Sequence, residues 1–292
     1  MAPKARLTTE TPITHPAVIT SPSGTGLQPR AIGQGRLGVA TGDDGRTRLA
    51  TLRQSGALKL VFPRSFRAGM EAVLVNTAGG VTGGDRFAIR AEAGPGADLT
   101  LTTQAAERAY RAQPGETGRI TTDLVAGPGA RLHWLPQELI LFEGARLDRR
   151  LTVDLAPDAT FLMVETLVLG RAAMGETLRA ASLRDRIAID RAGVPLYREG
   201  VDLAGDLAAH LAHPATGGGA GALASLVYAG AGAAGYLASV RALLPATCGA
   251  SLREDDLLVA RLAAPDSLAL RRALLPLLDL LTHKTLPVCW RL

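Results

Sequence analysis

A segment made of a strand, a turn rich in glycine and proline, and a second strand is repeated within this 292-residue chain. The copies begin 33, 31 and 36 residues apart, at Arg86, Arg119, Arg150 and Arg186. The first two turns both read AGPGA, and the third and fourth read APDA and AGVP. Hairpins of this kind bury a hydrophobic face only by stacking on their neighbours. The repeat therefore predicts a mainly β fold of stacked β-sheets built from repeated hairpins, with a solenoid-like core rather than an ordinary two-sheet sandwich.

The composition divides the chain into three parts. Residues 1–34 are rich in Thr, Ser and Pro, so we expect a flexible N-terminal extension. Residues 35–202 carry short alternating runs between Gly and Pro residues, which predicts a β-rich body. Residues 203–292 complete the same domain and change to strand–helix pairs, which predicts a small α/β part. Its predicted strands are 222–229 and 257–262, and its predicted helices are 233–244 and 267–281.

The charge of the chain argues against some classes of partner. The formal net charge is +5, but the arginines are scattered and few aromatic side chains are available to stack on bases. We therefore expect no nucleic-acid partner. The chain opens without a signal peptide, which predicts a cytoplasmic protein. An uncharged stretch at 219–240 is long enough to span a membrane, but its Ala and Gly content favours a buried strand followed by a helix.

The densest run of glycines reads GGVTGGD and ends at Asp85. Such a turn can cradle a phosphate, so a nucleotide-dependent enzyme that uses the Gly79 to Asp85 turn is an alternative function. The run lacks the Gly-Lys-Ser/Thr ending of a P-loop and does not lead into a clear helix, which favours a tight turn. The sequence shows no set of nucleophile, base and oxyanion hole. We therefore expect a protein that is not an enzyme.

Acidic residues follow the repeat turns, in stretches that are otherwise apolar. They are Glu107, Glu138, Glu165 and Glu199. If the hairpins stack, these carboxylates lie near one another, and each needs an arginine partner or water. An arginine such as Arg108 or Arg171 would make them structural, whereas water would make them an oxygen-lined passage for a weakly held divalent ion. The spacing alone leaves both interpretations open.

Four stretches of the sequence resemble the urease accessory protein D family, which is called UreD or UreH. They are the turn GGVTGGD at 79–85, LTTQAAERAYR at 101–111, WLPQELILF at 134–142 and ETLVLGRAAMGE at 165–176. The resemblance continues in this order from about residue 35 to the end of the chain. The three long motifs together are specific to that family.

The resemblance implies a β-rich body without catalysis of its own. UreD proteins join the accessory protein UreF and the GTPase UreG on apo-urease, so these are the implied partners. Nickel is thought to pass through the UreD body toward the urease active site, which implies nickel in transit and no tightly bound cofactor. The positions that match the family's polar lining are Asp85, Glu165 and Glu199, and Glu107 and Glu138 lie in the same motifs with less support.

Overall fold

The computed structural model describes residues 28–64 and 67–291. Most of the predicted extension therefore lies outside the described residues, and the first strand starts at Ile32, inside the predicted range 1–34. The strands are β1 Ile32–Thr41, β2 Thr47–Gly56, β3 Leu58–Val61, β4 Met70–Asn76, β5 Arg86–Ala93, β6 Asp98–Thr103, β7 Glu107–Ala109, β8 Gly118–Ala126, β9 Arg131–Leu135, β10 Leu139–Leu141, β11 Arg146–Leu155, β12 Thr160–Leu169, β13 Ala181–Arg191, β14 Val194–Gly205, β15 Ala222–Ala229, β16 Gly249–Arg253 and β17 Leu257–Ala264. The helices are α1 Leu207–Ala212, α2 Ala233–Leu243 and α3 Ser267–Leu281, with short 3-10 helices at Ala172–Met174 and Val288–Trp290.

Two sheets face each other across the main core. Sheet A has the strand order β14-β13-β11-β8-β5-β1-β2, and sheet B has the order β16-β17-β15-β12-β9-β6-β4-β3. The short strands β7 and β10 pair beside β12 in sheet B. The central strands of each sheet run parallel to one another, as expected when equivalent strands of successive repeats stack. The predicted solenoid-like stack of sheets is thus confirmed.

The repeat turns carry the chain from sheet A to sheet B. They connect β5 to β6, β8 to β9 and β11 to β12. In the first two turns a single glycine, Gly96 or Gly129, has a positive φ of 64° or 62°. The Gly96 amide donates to the Pro128 carbonyl at 2.8 Å, so one turn lies directly on the next. The shared AGPGA sequence therefore sets the layering of both sheets.

Two details of the predicted repeat are wrong. Arg119, which starts the second copy, lies beside Asp148 and not beside Arg150, which starts the third copy. This shift of two residues keeps the same side chains on the inner face of the sheet. The first three copies are not hairpins, because their two strands lie in different sheets, whereas the fourth copy forms the predicted hairpin with β13 and β14 antiparallel within sheet A. Ala192 and Gly193 both have positive φ, 51° and 77°, which is the backbone of a two-residue hairpin.

The C-terminal part matches the predicted strand–helix pairs closely. β15 adds antiparallel to β12 and is followed by α2, so the uncharged stretch forms a strand and a helix as expected. α3 starts at its cap Asp266, whose carboxylate accepts from the Ala269 amide at 2.8 Å. Its buried leucines pack on sheet B in a second core, around the fully buried Trp290. In the described part of the chain, no helix has the length and apolar character needed to cross a membrane.

We expect Leu132→Ala to lower the free energy of unfolding by about 2–5 kcal/mol, because it opens a cavity between the sheets at a side chain with 0% exposure. The matched control is Leu268→Ala on α3, where the side chain is 56% exposed and a change within about 0.5 kcal/mol is expected. Chemical denaturation of both variants measures the difference. Equal effects would contradict the assignment of the core.

Candidate functional site

Arg149 lies at the centre of the space between the sheets. It is on β11 of sheet A and points inward. Its guanidinium donates to both oxygens of Asp185 on the neighbouring strand β13, at 3.1 and 2.6 Å. It also donates to Glu165 on β12 of sheet B at 2.5 Å. One cation therefore connects carboxylates from both sheets.

The surroundings of Glu165 fix both of its oxygens. The carboxylate is 7% exposed, and its second oxygen accepts from the Trp134 indole at 2.7 Å. Burial raises the pKa of Glu165 above its usual value, although the guanidinium of Arg149 opposes this. Burial by itself disfavours the charged form of Arg149, but Asp185 and Glu165 raise its pKa well above the ordinary range. The arginine partner is thus Arg149, and not Arg108 or Arg171 as the sequence suggested.

Two cavities meet at the pair of Arg149 and Glu165. The smaller cavity, about 60 Å³, also has Glu107 in its lining, together with mainly apolar side chains. The larger cavity, about 300 Å³, is lined by Asp185 and Glu199 as well. Arg149 and Glu165 line both cavities and form the partition between them. The arginine partner of Glu165 therefore lies next to open space in the interior, and the oxygen-lined passage stays a prediction.

Glu199 lies on the far side of the larger cavity. The repeat predicted that Glu199 and Glu165 stack on neighbouring strands of one sheet. Instead Glu199 is on β14 of sheet A and Glu165 is on β12 of sheet B, so the two strands face each other across the interior. The Glu199 carboxylate accepts from Tyr197 at 2.8 Å, from Ser225 at 2.9 Å and from Arg261. Burial and the neighbouring Glu199 raise the pKa of Tyr197 well above its ordinary value, so its hydroxyl stays protonated and donates.

Glu107 differs from Glu165 and Glu199 in having no arginine side chain as an ion-pair partner among the described residues. It begins β7 and accepts from the Asn76 amide, at 3.1 and 3.2 Å, with no ion pair among the described residues. Burial raises the pKa of Glu107, and the bond from Asn76 only partly offsets this. This carboxylate therefore takes up a proton more easily than an exposed glutamate.

The structure places Asp85 and Glu138 away from both cavities. Asp85 accepts from the Ala31 and Thr82 amides, each at 2.8 Å, and so fastens the glycine turn to the start of β1. Glu138 pairs with Arg271 of α3 at 2.9 Å. Of the five predicted residues, the fold brings Glu107, Glu165 and Glu199 together along the interior and leaves the other two in structural contacts.

Several residues of the site were missed in the sequence. They are Arg149, Asp185, Tyr197, Ser225, Arg261 and Trp134. The alternation of buried and exposed positions could have identified Arg149 and Asp185 as inward-facing. Arg149 lies between the buried Leu147 and Leu151, and Asp185 lies between the buried Leu183 and Ile187. A charged residue at an inward position marks a buried ion pair.

The glycine turn lacks the helix start that a phosphate site of the P-loop kind uses. Residues 77–85 form an irregular loop that leads into the strand β5. A phosphate cradle of the P-loop kind needs the start of a helix after the glycines, and none follows here. The positive φ angles of Gly79 and Gly84, 77° and 85°, explain the glycines by backbone conformation instead.

The interior offers oxygen ligands without a closed metal site. Within the described ranges, no group of three or more His, Cys, Asp or Glu side chains is arranged to hold a metal ion. The carboxylates along the cavities are each engaged by donors, which reduces their availability to a cation.

We expect Glu107→Gln to stabilise the protein at neutral pH but not at pH 4. The raised pKa means that the native state holds the proton more tightly than the unfolded chain, so wild-type stability falls as pH rises above the unfolded pKa. The amide of Gln avoids this loss. Denaturation curves at several pH values test this, with the exposed Glu92→Gln as the matched control. A gain in stability that does not depend on pH would contradict the assignment.

Comparison with known proteins agrees with the motifs. The model of the UreD urease accessory protein family matches residues 31–291. A urease accessory protein UreD from Roseobacter denitrificans is 53% identical over 265 residues, covering 91% of this chain and 96% of the relative. UreD proteins from Ruegeria pomeroyi and Rhizobium rhizogenes are 54% and 48% identical, covering 83% and 90% of this chain and 94% and 96% of the relatives. This family is named for an accessory and not a catalytic role. The family model matches almost the whole chain, and the chain therefore belongs to the UreD urease accessory protein family.

Proposed function

We propose that this protein acts in the cytoplasm as a scaffold and nickel conduit that assembles with UreF and UreG on apo-urease and assists nickel insertion into the urease active site. The family membership supports the accessory role. The interior path from Glu107 past Glu165 to Glu199 supports the passage of a cation. The nucleotide-dependent alternative loses its support because no helix follows the glycine turn.

The observation that carries the proposal is the partition between the two cavities. Among the described residues, Glu165 is the one carboxylate that lines both of them. An ion that moves from one cavity to the other must pass this carboxylate and the guanidinium of Arg149. Nickel is the cargo in this scheme and no group of the protein retains it.

The choice of substitution decides whether the proposal can be tested. Glu165→Ala leaves the Trp134 indole without an acceptor and removes one partner of Arg149 from a buried site. Breaking a buried ion pair costs about 3–5 kcal/mol, enough to unfold a marginal domain. Glu165→Gln keeps the shape and one acceptor oxygen while it removes the charge and replaces the second acceptor by an NH2 group, so it disturbs the site less than Ala. The Gln variants are therefore the informative ones.

We expect Glu165→Gln and Glu199→Gln each to lower urease activation by about tenfold or more, because they remove an oxygen anion from the path. Assembly with UreF, UreG and apo-urease is expected to persist. The measurements are the yield of the purified complex and the nickel content and activity of urease. Glu92→Gln, on the outer face of sheet A, is the matched control and should activate urease normally.

Other outcomes would overturn the proposal in distinct ways. Loss of the complex together with the activity would assign Glu165 and Glu199 a structural role only. Full activation with an intact complex would remove both carboxylates from the nickel path. Turnover of GTP or ATP by the purified chain without UreG would contradict the assignment as a protein that is not an enzyme.

A further inference from the structure

β2 is an edge strand that lies largely uncovered on both faces. Every residue from Arg48 to Gly56 is exposed. β2 pairs with β1 on one side, and it ends sheet A on the other side, where the described residues place no further strand. Long edge strands of this kind offer unpaired N–H and C=O groups to another strand.

The outer face of this edge carries arginines in register. Arg53 of β2 lies beside Arg36 of β1, and Arg36 lies beside Arg90 of β5. Neighbouring strands are roughly 4.8 Å apart, so these three like charges lie close together, which is unfavourable by itself. All three are exposed, and their guanidinium groups form no ion pair or hydrogen bond within the described residues. We call these three residues the arginine row.

The opposite edge of sheet A shows the contrast. On β14 and β13, Arg198 pairs with Asp190 and Arg186 pairs with Asp202. The same sheet therefore neutralises its arginines at one edge with acidic side chains of its own strands. At the β2 edge Arg90 has one acidic neighbour in register, Asp123 of β8, whereas Arg36 and Arg53 lie beside no acidic side chain of the neighbouring described strands, and an external acidic group would supply their neutralising charge.

The inner face of β2 is apolar and also uncovered. Leu52 lies beside the buried Leu37, and Leu49 lies beside the buried Val39, so both leucines point to the core side of the sheet. They are 40% and 42% exposed, because sheet B ends before it reaches them. A strand added to β2 would cover these leucines on one face and meet the arginine row on the other.

We propose that the edge of β2 binds an extended segment of a partner protein, in which acidic residues alternate with apolar ones, as an additional strand of sheet A. Successive side chains of a strand point to opposite faces, so such a segment places its acidic residues beside Arg53 and its apolar residues beside Leu49 and Leu52. The binding surface is separate from the cavities between the sheets and does not depend on the proposed nickel path.

Two other possible occupants of the β2 edge are less complementary to its positive charge. A second copy of the chain, paired edge to edge through β2, would bring a second arginine row next to the first. The N-terminal residues 1–27 carry Lys4 and Arg6 against a single acidic residue, Glu10, so their charge has the wrong sign. An acidic partner segment remains the occupant that the charges favour.

The test uses the full-length chain and a fluorescein-labelled peptide of eleven residues that alternates glutamate with valine. We expect saturable binding in fluorescence anisotropy, with affinity that falls as salt is raised. The double variant Arg36→Glu/Arg53→Glu is expected to weaken binding by about tenfold or more, since attraction becomes repulsion. Arg146→Glu, an exposed arginine on β11, is the matched control and should bind as the wild type does.

Three further measurements decide between the occupants. A lysine–valine peptide should bind at least about tenfold more weakly than the glutamate–valine peptide. A glutamate–valine peptide that is N-methylated at alternate residues should also fail to bind, because it cannot pair as a strand. Equal binding of either peptide, or unchanged binding to the double variant, would overturn the proposal. So would a dimer of the chain in solution that the double variant abolishes, because it would assign the edge to a second copy.

Discussion

The burial of the Arg149 guanidinium is the interaction on which the interior of this protein depends. Removing such a cation from water costs several kcal/mol unless anions and hydrogen bonds surround it. Asp185 supplies a two-oxygen contact within sheet A, and Glu165 supplies the third bond from sheet B. An ion pair therefore joins the two sheets at this point, next to the buried Leu147 and Leu151. Where leucine packing stops, the two cavities open on either side.

Much of the fold could be predicted because short sequence motifs mark the places where the chain turns from one layer to the next. The AGPGA turns specify where the chain crosses between layers, and the Asp266 cap marks the first turn of α3. The strand pattern could not distinguish the fourth copy, which is a hairpin within sheet A, from the first three, which cross between the sheets. The hairpin depends on two consecutive residues with positive φ, Ala192 and Gly193, and alanine is not a usual signal for that conformation.

The candidate site could be predicted only in part, because carboxylates are visible in a sequence while their partners are distant in it. Glu165 and Glu199 stood out among apolar neighbours. Their cations, Arg149 and Arg261, are 16 and 62 residues away along the chain. Pairing across that distance depends on which strands face each other, which the repeat alone did not decide. Asp85 shows a different difficulty. Its position matches the family motif, but its carboxylate accepts hydrogen bonds from the backbone amides of Ala31 and Thr82, which the motif does not indicate.

The larger cavity is lined by three carboxylates, Glu165, Asp185 and Glu199, and by two guanidinium groups, Arg149 and Arg261. With every group ionised, the lining has a net charge of one negative unit instead of three. Coulomb attraction toward a divalent ion is correspondingly weaker, and the dissociation rate is higher than in a cavity of bare carboxylates. In the proposed nickel path, arginines inside this lining would therefore shorten the residence time of a cation and limit how much metal the protein could sequester for itself.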